Sequence, residues 1–424
     1  MTIYEEALKG NITNEMNEVA NEENKDVSKI MKGISNGQLV IMKSLNSKPL
    51  GIGGSLRTKI NVNLGTSSSI FNIDDEINKV RIAQKYGADT ISDLSMGGNI
   101  DKIRKEIIKN SKLPITTVPI YQAVEQTDSL VNVSEDVIFN VIEKQLKDGV
   151  SSIVIHAAFT LENLRKMKDK RIMGIISKGG SFTASIMSEN SRENPFLKNF
   201  DNILEMVKER DIVLNLGNAM RSGCIHDKID EFQLAEILLN SKLAQKANKK
   251  GIQVILESLG GHVNAKDLIE WIKIHKTLTS NRPLFVSGPL PVDIAVGYDH
   301  IAAAIGGAFA SGFGADYLCA ITPAEHLGLP TARDIKKGLI ACKIAAHVGD
   351  SLKFGLNHLF DNDLELSKNR SLKNWKRQFE LSLDAETLQK NYSNLKSECS
   401  MCGKYCAISI SKNIFRTKYQ GRTS

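Results

Sequence analysis

The sequence predicts an α/β protein: a (β/α)8, TIM-like barrel over residues 59–348, a small N-terminal helical region at 1–58, and a C-terminal helical module at 349–424. Three observations predict it. From Lys59 onward, short β-branched or aliphatic runs alternate with helical stretches, the rhythm of repeated βα units in a parallel sheet. Nearly every run ends in small or reactive residues. Past residue 348 the rhythm stops, and a charged helical stretch leads into Cys399-Ser400-Met401-Cys402-Gly403-Lys404-Tyr405-Cys406, which holds three of the six cysteines.

Composition bounds the class. The chain has 424 residues, 42 % hydrophobic and 24 % charged, which is ordinary globular usage and enough for one large domain with appendages. The N-terminus is polar and acidic, and no apolar run is long enough to span a bilayer, so the expectation is a soluble, cytoplasmic protein with no membrane partner. Six cysteines in such a length do not make a disulfide framework, which suits a reducing compartment. The net charge of +7 comes from scattered lysines rather than a basic block. It favours small anionic substrates and argues against nucleic acid.

In order along the chain, Asn11 to Glu15 offers a helix cap before an amphipathic run, and Gly51 to Gly54 breaks that pattern. Nine strand-like runs follow: Ile60 to Leu64, Thr90 to Leu94, Ile115 to Tyr121, Ser152 to Ala157, Met173 to Ile176, Ile212 to Leu216, Gln253 to Leu256, Leu284 to Ser287 and Tyr317 to Ile321. A (β/α)8 barrel needs eight, so one run is an extension or accessory strand, and the sequence does not choose which. The runs end in Asn61 and Asn63, Asp93, Tyr121, His156, Ser177 to Gly180, Asn218 and Arg221, Glu257 and His262, Asp293, then Glu325 and His326. One polar strand end is a cap. A succession of them converging at the C-terminal mouth of a barrel is an active site. Beyond the barrel, Leu352 to Lys396 is charged and helical, with Trp375, Phe379, Leu381 and Leu383 as an apolar face, and Asn413 to Ser424 reads as a solvated end.

The cysteine run supplies three ligands, whereas structural zinc takes four, and neither His nor Cys follows Cys406. A [4Fe-4S] cluster on Cys399, Cys402 and Cys406 would keep one iron open. An incomplete zinc knuckle and reduced surface thiols are the alternatives. Cys319 and Cys342 have apolar flanks and read as buried thiols. Ser177-Lys178-Gly179-Gly180 after an apolar run can cradle a phosphate at a helix start, or be only a tight turn. Arg221 can clamp the same anion. His262 and His326, each near a carboxylate, are competent ligands for a divalent ion such as zinc or iron, or else hydrogen-bonding structural residues. His226, His275, His300, His347 and His358 read as structural or surface residues.

The motifs NVNLGTS, TVPIYQA, SKGG, MRSGCIHD, GPLPVDIAVGYDHI, TPAEHLGLP and CSMCGKYC, in this order, resemble the thiamin pyrimidine synthase family, an atypical radical S-adenosylmethionine family. The resemblance implies a (β/α)8 barrel with a C-terminal Fe-S module, S-adenosylmethionine as cofactor and 5-aminoimidazole ribotide as substrate. It assigns a [4Fe-4S] cluster to Cys399, Cys402 and Cys406 and a divalent metal, zinc or iron, to His262 and His326. Ribotide contacts go to Asn63, Tyr121, His156, Ser177, Gly179, Arg221 and Glu257, with catalytic roles for Glu257 and the cysteines. It also implies a homodimer in which one subunit's cluster tail closes the other's barrel, or a pairing with a sister paralogue.

Departures fall in the same pocket. Lys178 replaces the arginine of SRGG, Asn218 the aspartate of DGLRPG, Ser92 a methionine and Phe285 a tyrosine, while EGPGH is lengthened to Glu257-Ser258-Leu259-Gly260-Gly261-His262. Metal and cluster ligands are kept while pocket polarity changes. That combination points to the anaerobic 5-hydroxybenzimidazole synthases, which build the lower-ligand base of cobalamin. Phosphomethylpyrimidine synthesis for thiamin, from the same ribotide, is the alternative.

Overall fold

The computed structural model describes residues 1–44, 46–395 and 399–420. It divides into two compact units, Met1–Lys353 and Phe354–Ser424. In the first, a hairpin of β1 (Leu39–Ser44) and β2 (Ser47–Gly53) precedes eight barrel strands. These are β3 (Lys59–Leu64), β4 (Thr90–Asp93), β5 (Ile115–Thr117), β6 (Ser152–Ile155), β7 (Val213–Leu216), β8 (Val254–Glu257), β9 (Leu284–Ser287) and β10 (Tyr317–Ala320). They pair in sequence order, all parallel, and β10 closes on β3. Outward-facing Val, Ile and Leu of the strands pack under the helices, as in the clusters built around Ile153, Leu214 and Leu256 and around Ile91, Leu284 and Leu318.

The ninth run, Met173 to Ile176, is not a strand. Gly174 has φ +57°, and the Ile172 and Met173 N–H groups donate to the Asp227 carboxylate at 2.8 and 3.0 Å rather than to a neighbouring strand. The Ile115 run is cut short for a different reason. Pro119 opens the helix Pro119–Glu125, so the strand ends at Thr117.

The N-terminal region is helical only in part. Three helices, Ile3–Leu8, Asn14–Glu22 and Val27–Ser35, are followed by the antiparallel hairpin, and Gly51 to Gly53 lie within its second strand instead of ending a pattern. Thr13 caps as expected, its hydroxyl accepting the Met16 N–H at 3.3 Å. Gly51 is needed because a Cβ there would sit 2.6 Å from both Leu56 and Val19 side chains. Val40, Met42, Leu50 and Ile52 of the hairpin pack on the inward-facing Val213, Ile255, Phe285, Tyr317 and Cys319. The Gln253 side chain, at the start of β8, completes the join by accepting the Ile41 N–H at 2.7 Å and donating to the Ile41 carbonyl at 3.2 Å. The hairpin therefore plugs the N-terminal end of the barrel and leaves the other end for chemistry.

Charges at the plugged end are paired. Fully buried Lys59 donates to Glu23 at 2.9 Å and to the Arg57 carbonyl at 2.8 Å, and Arg57 in turn grips Asp89. The last helix, Ala332–Phe354, runs past the expected boundary at 348, and its Asp350 accepts the Thr58 N–H and hydroxyl. Among the described residues no helix is long and apolar enough to cross a membrane.

The second unit contains the helices Asp361–Leu372, Trp375–Leu381, Ala385–Tyr392 and Ala407–Gln420. Trp375 and Phe379 line a cleft with Tyr392 and Leu395, whereas Leu383, expected on the same face, is exposed. Lys396, the expected end of the helical stretch, and residues 421–424 of the expected solvated end lie outside the described residues.

Candidate active site

At the C-terminal ends of the strands, Asn63, Ser92, Tyr121, His156, Ser177, Arg221, Glu257 and Phe285 line one cleft of about 100 Å³. Residues that are far apart in sequence meet there because each follows or ends a barrel strand.

His156 lies just past β6, with Nε2 3.1 Å from the Ser177 hydroxyl. Ser177 caps the helix Lys178–Glu189 and also accepts the Gly180 N–H at 3.2 Å. Glycine is required on both sides of the imidazole. A Cβ on Gly179 would stand 2.4 Å from His156 Cε1, and one on Gly217 2.8 Å from Cδ2. Burial, with Arg221 adding to it, pushes the His156 pKa down to about 3, so the ring is neutral. Its Nδ1 has no hydrogen-bond partner among the described residues.

Glu257 ends β8 and accepts from Asn215 Nδ2 at 2.9 Å. Burial raises its pKa above the usual carboxylate value, and the Arg221 charge opposes that rise. Arg221 is braced by its own loop, Nη1 donating to the Asn218 carbonyl at 2.9 Å. Tyr121, edge-on to Phe182 at 5.9 Å, has its phenol pushed up to about 12 by burial and stays protonated. Phe285 stacks on Tyr317 at 4.1 Å.

Lys178, Gly179 and Asn218, expected as substrate contacts, do not line this cleft. Lys178 is exposed with Nζ 5.5 Å above the Tyr121 ring, and Gly179 is spent on its close approach to His156. Asn218 turns away because Glu236, on the helix Glu231–Lys249, takes its Nδ2. The same carboxylate accepts the Ala219 and Met220 N–H groups at 2.6 and 3.0 Å. Burial outweighs these donors and pushes the Glu236 pKa up to about 8. Glu236 was not legible in the sequence, since a glutamate inside a long amphipathic helix looks like surface. The sequence marks Cys319 only as a buried thiol. It is buried, as is Cys342, but it also lines the cleft, and its inward alternation with Tyr317 on β10 is the signal that could have found it.

Beside Arg221, the Nε2 atoms of His262 and His326 face each other at 3.4 Å. Each Nδ1 is held by a carboxylate, His262 by Asp293 at 2.7 Å and His326 by Asp299 at 3.2 Å. Two metal–nitrogen bonds of about 2.0–2.1 Å at a tetrahedral angle put nitrogens about 3.3–3.4 Å apart, so the pair fits a divalent ion. The lengthened turn is accommodated by Leu259 at φ +51°, and His326 itself has φ +63°, two strained residues in one locality. No group of three or more His, Cys, Asp or Glu that could hold a metal exists among the described residues, so other ligands would have to complete this site.

In the second unit, Cys399, Cys402 and Cys406 fall on one tight turn, but among the described residues their side chains are not gathered into a metal-holding group. The Gly403 N–H donates to the Cys399 carbonyl at 3.2 Å, that of Tyr405 to Cys402 at 3.0 Å, and Gly403 takes φ +48°. Cys402 is exposed. Cys406 precedes the helix Ala407–Gln420, where the Ser409 N–H holds its thiol below the usual pKa.

The chain matches the model of the radical SAM ThiC family over residues 2–413. A phosphomethylpyrimidine synthase of Thermoanaerobacter sp. (strain X514) is 45 % identical over 423 residues, covering 97 % of each chain. Proteins of the same name from Methanocaldococcus jannaschii and Archaeoglobus fulgidus are each 43 % identical, covering 96 and 98 % of this chain and 98 and 99 % of theirs. A Yersinia pestis dihydropteroate synthase superposes with a TM-score of 0.39 at 13 % identity, covering 71 % of this chain and 96 % of that one, a likeness too slight to bear on function. The relatives' names favour the pyrimidine alternative over the benzimidazole reading drawn from the pocket departures.

Proposed function

The chain belongs to the radical SAM ThiC family, and on that premise we propose that it rearranges 5-aminoimidazole ribotide to phosphomethylpyrimidine. The observation that carries this is the single cleft shared by Asn63, Tyr121, His156, Ser177, Arg221 and Glu257. Whole-length identity to proteins named for that product supports it. Family membership implies a [4Fe-4S] cluster and S-adenosylmethionine. Cys399, Cys402 and Cys406 would hold the cluster, which when bound supplies reductive cleavage of S-adenosylmethionine to a radical. His262 and His326 would hold a divalent ion.

The chain's own groups divide the remaining work. Arg221 and the helix start at Ser177 bind the phosphate. Neutral His156 donates one hydrogen bond from its unpartnered Nδ1. Glu257, raised above the ordinary carboxylate pKa, holds and releases a proton at its carboxyl oxygen beside the substrate.

A second reading, 5-hydroxybenzimidazole formation, is favoured by one observation: Ser92 and Phe285, where the family has methionine and tyrosine, both line the cleft. Asn218 does not support it, because its side chain addresses Glu236. Mass spectrometry of the product after anaerobic reconstitution with the ribotide and S-adenosylmethionine separates the two. The pyrimidine upholds the proposal, the benzimidazole transfers it to the second reading, and neither product overturns both.

Homodimerisation is part of the proposal. Ile301 and Ile305 on one helix, and Ile344, Val348 and Leu352 on another, form exposed aliphatic stripes at i, i+4 spacing. The helices meet where Ser311 Oγ lies 3.5 Å from the Ala345 carbonyl. A monomer in sedimentation analysis would contradict a dimer through this face.

A further inference from the structure

Beneath the cleft lies a fully buried side chain, Asn61, that does not line it. It sits in register with Thr90 on β4 and Cys319 on β10. Its Oδ1 accepts the hydroxyls of Thr90 at 2.9 Å and Ser92 at 3.0 Å, and the Tyr317 hydroxyl, 3.4 Å from Oδ1, bonds to Thr90. Its Nδ2 donates to Asn63 Oδ1 at 2.8 Å and to the Cys319 sulfur at 3.7 Å. Every polar atom of this amide is therefore engaged, and Ser92, Asn63 and Cys319 are all cleft-lining.

An amide so saturated dictates directions to its neighbours. Ser92 must turn its proton inward to Asn61, which leaves its lone pairs toward the cleft. Asn63 must turn its carbonyl inward, which leaves its N–H groups toward the cleft. We propose that Asn61 is a positioning residue that writes the donor and acceptor pattern of the cleft floor: an acceptor at Ser92 and a donor at Asn63. Such a floor takes a flat nitrogen heterocycle carrying an exocyclic amine, which donates to Ser92, and an unsubstituted ring nitrogen, which accepts from Asn63. The inference rests on the ribotide reading for its ligand, since an aminoimidazole carries both groups, and it deepens that reading by naming which wall addresses which atom.

The test is calorimetric binding of 5-aminoimidazole ribotide to the anaerobically reconstituted full chain. Asn61→Asp keeps the shape but puts an acceptor against Asn63 Oδ1, forcing that amide to reverse. Asn61→Ala releases it without adding a buried charge, and it serves as the probe if the aspartate variant does not fold. Either should weaken binding by about tenfold, as for a lost hydrogen bond with its partner left unmet. Because Asn61→Asp keeps an acceptor for Ser92 and acts through Asn63, adding it to Asn63→Ala should weaken binding little beyond Asn63→Ala alone, and Asn61→Ala, which also frees Ser92, should add little to the Asn63→Ala, Ser92→Ala pair. Multiplicative losses in the double variant, with the melting temperature preserved, would overturn the inference while leaving the ribotide as substrate. Failure of the unsubstituted protein to bind the ribotide would overturn the substrate reading and this inference together.

Discussion

The two ends of the barrel treat polar groups in opposite ways. At the N-terminal end, Lys59, Glu23, Arg57, Asp89 and Asp350 spend their charges on one another and on nearby backbone, under a hairpin that excludes water. At the C-terminal end, His156 keeps an unpartnered Nδ1, burial raises the Glu257 pKa despite its Asn218 N–H and Asn215 amide donors, and two imidazoles face each other across 3.4 Å. Buried polar atoms without partners cost stability. In the open cleft, His156 Nδ1 is such an atom, and it marks where a ligand is expected to supply what the protein does not. The plugged end is built for stability and the open end for binding, so substitutions at each should separate the two readouts.

The largest separation should come from Glu257→Gln, which keeps shape and removes the titrating proton. Product formation should fall by about 10²- to 10⁴-fold, while the thermal midpoint stays or rises because a buried carboxyl has been neutralised. A preserved rate would return Glu257 to a structural role.

The mirror experiment is Glu23→Gln, which leaves Lys59 buried beside a neutral partner. Unfolding free energy should drop by about 3–5 kcal/mol, with product formed per folded molecule unchanged. If activity falls in step with stability loss per folded molecule, the two ends are not independent.

A smaller effect is expected from His326→Ala. Divalent-metal content should fall with the cluster absorbance intact, because the imidazole pair and the cysteine turn use different ligands. Unchanged metal content would leave both histidines as hydrogen-bonding residues.

The smallest effect concerns Glu236, which lies between the ends in character: buried like the base, raised in pKa like the mouth. A folded pKa of about 8, above the unfolded value of 4.5, gives stability that is full below the lower value and lost as pH rises through the upper one. Melting temperature should therefore decline from pH 5 to 8, and Glu236→Gln should flatten that decline. Parallel curves would place the titrating group elsewhere.

How much of this was legible depends on how local each cause is. Eight barrel strands follow from runs of Ile, Val and Leu bounded by turn residues, and the cleft follows from what ends those runs. The Met173 run was misleading because Gly174 and the distant Asp227 decide its shape. The hairpin was hidden because its two internal glycines, needed for close packing, imitate a broken pattern. Asn218 turned out to face away because of Glu236, eighteen residues further on and one helix removed. Side-chain direction set by a non-neighbouring element does not show in residue type or spacing, whereas alternation along a strand does. Asn61 illustrates the second case, since its parity with Asn63 already placed both inside the barrel.

The most direct test compares Cys402→Ser with Cys342→Ser in single-turnover reactions with S-adenosylmethionine and the ribotide under anaerobic conditions. Cys402 lies in the exposed turn of the second unit and Cys342 is a buried barrel thiol. The account predicts that Cys342→Ser forms both 5′-deoxyadenosine and a rearranged heterocycle, while Cys402→Ser forms neither and loses iron and sulfide. Retention of iron, sulfide and 5′-deoxyadenosine formation by Cys402→Ser would contradict it.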